Sequence, residues 1–243
     1  MNRAKGVTAE SVWREYEKML AYNESIQLDD TVRVNENFFV GKQWEGVESN
    51  GLPTPVFNFL KRVTLFTVAS ITSDRIKLLA SPVDSSSGDG RVVRAVDVVN
   101  AEFDALFEHN RLPTLIHEYL RNAAVDGDAA TYTYWDGEAP ASGGGSGAVV
   151  TEIVPNTRVG FGNCADRGVQ SQPYILIKRR ELTERLKKRA KALGCREWED
   201  IRPDTDEQQA DAYKDTGDKT TVILRLWKDE DTRTVWAAEC ARG

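Results

Sequence analysis

Few residues in this chain are of a type and spacing that could do chemistry, and each set has a plainer use. His109 and His117 are the only histidines. Neither has a second His or a Cys at metal-ligand spacing. His117 shares a helix face with Thr114 and Arg121, and His109 falls at a helix C-terminus, where the dipole favours an imidazolium. Asp126, Asp128 and Asp136 could offer carboxylates to a divalent cation, but the further ligands and the closing Glu of an EF-hand are missing. Turn chemistry around Gly127 accounts for the first two. The run Gly143-Gly144-Gly145-Ser146-Gly147 has the glycines of a phosphate loop without the Gly-Lys-Ser/Thr ending or a following helix, so it reads as a hairpin tip. No local motif supports a Ser-His-acid set. The expectation is a chain with no catalytic residue, no metal site and no cofactor, and thus no enzyme.

Charge patterning is the stronger signal. Lys178, Arg179, Arg180, Arg185, Lys187, Lys188, Arg189 and Lys191 crowd into one strand end and one helix. Behind them come Glu197, Glu199, Asp200, Asp204, Asp206, Glu207, Asp211, Asp215 and Asp218. The plain reading is a solvated helix face beside a polar loop. The functional readings are a nucleic-acid contact through residues 178–191, or a charge-complementary contact between subunits. The second is preferred, because in a heterologous interface Lys187, Lys188 and Arg189 on one flank can meet Asp204, Asp206 and Glu207 on the other. A net charge of −6 also argues against a general DNA-gripping protein.

The elements that must hold these residues follow from periodicity. At 243 residues the chain is one large domain or two small ones, long enough to bury a core without staples. Its three cysteines, Cys164, Cys195 and Cys240, are dispersed and odd in number, which fits a reducing compartment. The N-terminus has no apolar signal core, and the apolar-leaning run Val63–Ile71 is too short to span a bilayer. Helices are expected over 9–24, with Thr8 as cap, and over 30–40, ending at Gly41. A third is expected from Asn58 to about Ser73, apolar on most sides and therefore buried. A fourth runs over 92–108 with Val96, Val99, Phe103, Leu106 and Phe107 inward, and a fifth from Pro113 to Ala124. Strands follow at 131–135, 149–154, 158–161, 174–178, 220–227 and 234–239, with one further helix over 181–193. The fold class is α+β: N-terminal helices, then a mostly antiparallel β region with one helix. The division is at 125/126, helical before and β-rich after.

Several stretches carry a family resemblance. Asn35-Glu36-Asn37-Phe38-Phe39-Val40-Gly41-Lys42-Gln43-Trp44-Glu45-Gly46 leads through Leu52-Pro53-Thr54-Pro55-Val56 into the Asn58 helix. Later, Asn156-Thr157-Arg158-Val159-Gly160-Phe161-Gly162-Asn163 and Val169–Ile177 precede a helix headed by Thr183, while an aromatic strand follows Gly127-Asp128-Ala129. Their order over residues 10–240 resembles the portal proteins of tailed double-stranded-DNA bacteriophages and prophages. The resemblance implies a homo-oligomeric, dodecameric ring at one capsid vertex of the virion, assembled in the host cytoplasm and without a membrane. Its partners would be the terminase large subunit, capsid and head–tail connector proteins, and double-stranded DNA passing through the channel during packaging and ejection. The chain would be the N-terminal wing portion, cut before stem, clip and crown.

Overall fold

A computed structural model describes residues 7–73, 77–83, 90–140, 146–166, 168–204, 218–229 and 232–241. The fold is α+β. Helices α1 (Ala9–Ser25), α2 (Leu28–Val40), α3 (Phe59–Thr72), α4 (Gly90–His109) and α5 (Leu112–Asp126) come first. Strands β1 (Ala130–Pro140), β2 (Ser146–Val154), β3 (Val159–Phe161) and β4 (Ile175–Leu182) follow. Helix α6 (Thr183–Ala192) then precedes β5 (Lys219–Lys228) and β6 (Val235–Ala241). No described helix is long and apolar enough to cross a membrane.

The chain forms two compact units, residues 1–29 with 157–243, and residues 30–156. This grouping differs from a split at 125/126, because α1 returns to pack on a sheet built from the chain's last third. The predicted strand near Tyr174–Lys178 is also longer, extending β4 to Leu182 and taking the basic triplet 178–180 into the sheet. The stretches 84–89, 141–145 and 205–217, read as loops, lie outside the described residues.

The first unit is an antiparallel sheet in the order β3-β4-β5-β6. Side chains alternate between its faces. One face carries Leu176 and Ile223, which close a core with Val12, Tyr16 and Met19 of α1. These α1 positions recur at helical spacing, so one apolar stripe meets one sheet face. Thr8 starts α1 with a reciprocal cap: its Oγ1 accepts from Ser11 N at 3.2 Å, and Ser11 Oγ accepts from Thr8 N at 3.0 Å. Gly160 lets β3 approach α1, since any Cβ there would collide with Met19. The other face carries Val222, covered by Leu186 of α6 and Ile201. Thr183 heads α6 as expected, being its first residue, and its hydroxyl lies 2.8 Å from that of Thr220, which donates to Arg202 O at 2.9 Å. The cap position is Leu182, which makes no side-chain cap.

The second unit holds α3, α4, α5 and the β1–β2 hairpin, whose strands pair from Ala130↔Val154 outward. Much of it is joined by polar clamps. Asn58 caps α3, accepting from Lys61 N at 2.9 Å, and donates to Phe39 O at 2.8 Å. Trp44 Nε1 donates to Pro55 O at 3.1 Å, fixing the Gly41 turn, where φ is +90°, against the proline-spaced link. Asn100 holds both backbone groups of Ala80. Asn110 donates to Val149 O and accepts from Thr151 N, each at 2.8 Å, pairing with the outer edge of β2 as a strand would.

Candidate functional site

The basic segment 178–191 is positioned by β4 and α6. Adjacent residues of β4 point to opposite faces, so the cations divide. Lys178 is buried. Arg180, its side chain only 6% exposed, meets Asp204 at 2.6 Å from Nη1, and its Nη2 donates to Asp204 O at 2.8 Å. Asp204 also accepts from Thr221 N at 3.0 and 3.1 Å, while its own N donates to Lys219 O at 2.9 Å. β6 pairs only from Val222 onward, so Asp204 satisfies β5 where that ladder ends.

On the opposite face Arg189 bridges two strands. It meets Glu181 of β4 and Glu239 of β6, each at 2.8 Å, and pins α6 to the sheet. Burial alone would lower its pKa, but hydrogen bonding to Glu181 and the charge of Glu239 outweigh that and push it up. Lys191 Nζ lies 4.6 Å from the Trp198 ring centroid. Lys188 is exposed and Lys187 half-buried, and neither makes an ion pair among the described residues.

Four of the six expected contact residues lie among the described residues. Arg189 and Asp204 are held by internal pairs on opposite faces of the sheet, Lys187 and Lys188 stay available on α6, and Asp206 and Glu207 lie outside the described residues. The remaining candidates are dispersed. His109 and His117 are exposed on α4 and α5. Asp128 accepts from Asn156 Nδ2 at 2.7 Å, a turn role. Asp126 has its carboxyl pushed up from 3.8 by burial and by repulsion from Glu36, against the pull of Arg121. Its Oδ1 is buried without a hydrogen-bond partner. Among the described residues no group of three His, Cys, Asp or Glu side chains is gathered to hold a metal.

Helix α3, expected to be buried, is largely exposed. Helix α3 packs on α5 and buries Val68, 1% exposed. By contrast Phe57, Phe59, Leu60, Val63 and Phe66 are 59–73% exposed, and Ile71 is exposed too. Apolar cover around most of a helix normally marks burial. Among the described residues of its own unit no element covers this face, and nothing in the α3 sequence separates a phenylalanine that stays exposed from one that is buried. Val99 of α4, expected inward, is likewise exposed. No protein-family model matches the chain, and no curated protein matches it.

Proposed function

We propose that this chain is a structural subunit of a phage portal ring, part of the assembly at the capsid vertex through which DNA is packaged and ejected. The observation that carries the reading is the apolar face of α3, which a lone copy leaves in water. Contiguous exposed apolar surface on a soluble protein marks a place where another macromolecule sits. The ordered resemblance over residues 10–240 selects a portal among assemblies. In this role the chain surrounds DNA without acting chemically on it. Each copy brings a net charge of −6 to the ring, which disfavours tight gripping of phosphates.

A nucleic-acid-binding role for residues 178–191 receives less support. Lys178 and Arg180 are buried in the sheet, and Arg189 is committed to Glu181 and Glu239. Negative-stain imaging of the full-length gene product tests the choice. Rings with a central opening are expected. Monomers that shift a duplex DNA band at physiological salt would overturn the portal reading in favour of the basic segment.

A further inference from the structure

We infer that the exposed face of α3 is where a second copy of this chain docks. The inference deepens the assembly reading above by naming the surface that does the assembling. Phe59, Val63 and Phe66 stand at i, i+4 and i+7, a single stripe along the helix, with Leu60 and Ile71 beside it and Phe57 just before the cap. Val68, the residue that meets the rest of the unit, lies on the other side of the helix, so the stripe points away from α5. Successive stripe residues are four and three apart, the spacing that lets one helix seat in the groove of another.

Size favours a protein partner of this kind. At the exposures observed, the three phenylalanines offer about 100–150 Å² each, and the aliphatic residues bring the face to about 500–700 Å². Two such faces, or one face against an equal area elsewhere on a neighbour, remove about 1,000–1,400 Å² from water, where specific interfaces begin. A lone exposed side chain needs no partner, but a face at the top of the range for monomers does. The stripe carries no charge, and the only ionised residues of α3 are Lys61 and Arg62 at its start. Arg62, three residues after Phe59 and four before Phe66, borders the stripe, but two cations on the helix are few beside the several phosphate contacts that hold a nucleic acid. A second copy brings an apolar face of the same size.

The test uses the full-length protein with Val63→Glu and Phe66→Glu together. Both side chains are exposed in the single copy, so the folded chain is expected to tolerate them, and circular dichroism with a thermal scan checks that. Trp135→Glu, a change of similar kind at another exposed aromatic, is the control. Mass photometry and sedimentation across a concentration series read self-association. The expected result is assembly weakened by about 100-fold or more in the α3 variant and little changed in the control. If the folded α3 variant assembles as the wild type does, the inference falls while a ring reading stands. If the wild type forms only a two-fold dimer that the α3 variant abolishes, the inference stands and the ring reading falls. A wild type that remains monomeric at high concentration overturns both.

Discussion

The two units solve the same problem in different ways. The sheet unit is closed: α1 covers one face and α6 with Ile201 covers part of the other, so Val12, Leu176, Val222 and Ile223 reach near-zero exposure. In the helical unit only Val68 and Val154 are fully buried hydrophobics among the described residues. It is tied together by Asn58, Asn100 and Asn110 reaching backbone groups, and by Arg121 pairing with Glu36 while stacking on Phe39 at 4.6 Å. The contrast teaches that local helix and hairpin signals can be strong where the tertiary core is thin. Such a unit is well specified in sequence and still leaves most of α3 exposed.

Core truncation is the sharpest way to break the comparison. Ile223→Ala is expected to destabilise the sheet unit by about 3–5 kcal/mol, whereas Phe66→Ala in the unassembled protein should stay within about 0.5 kcal/mol of wild type. Urea denaturation of both reads this, and equal losses would mean that α3 is core after all. Breaking an ion pair comes next. Asp204→Ala removes the carboxylate that both meets the buried Arg180 side chain and accepts from Thr221 N, and is expected to cost about 3 kcal/mol. Arg121→Ala, whose pair with Glu36 is 24% and 32% exposed, should cost about 1 kcal/mol. A reversed ranking in the same denaturation series would contradict the division into closed and open units. Asn110→Ala strands Val149 O and Thr151 N at the edge of β2 and is expected to cost about 1–2 kcal/mol, with faster amide exchange in the hairpin.

The smallest effect is a gain. The Asp126 carboxyl is raised above 3.8 in the fold, so folding favours its protonated form, and stability is lost as pH rises through that raised value. Asp126→Asn removes the penalty. A rise in melting temperature of about 2 °C or less is expected at pH 7, fading as pH falls toward 3.8. A lower melting temperature at pH 7 would show that the carboxylate is used for something other than the fold.

What the sequence made legible was local. Thr8, Asn58 and Gly41 marked helix ends by capping chemistry that acts over three or four residues, and the apolar stripe of α1 found its core. The pairing of α1 with strands near the other end of the chain was not legible, because Val12 and Ile223 are joined only by the fold. The internal partners of the basic segment were not legible for a related reason: a run of cations in sequence passes from β4 into α6, so Arg180 meets Asp204 on one face of the sheet and Arg189 meets Glu181 on the other. Asn110 and Asn100 gave no signal at all, since an asparagine that mimics a strand edge looks like any other polar residue. α3 reads as buried because periodicity reports which residues are apolar and says nothing about which molecule covers them.

Hydrogen exchange measured on the unassembled and the assembled full-length protein tests the closed-and-open contrast most directly. The expected result is slow exchange in β4 and β5 in both states, with α3 fast in the single copy and strongly protected on assembly. Protection of α3 in the single copy equal to that of β5, or no change in α3 on assembly, would contradict it.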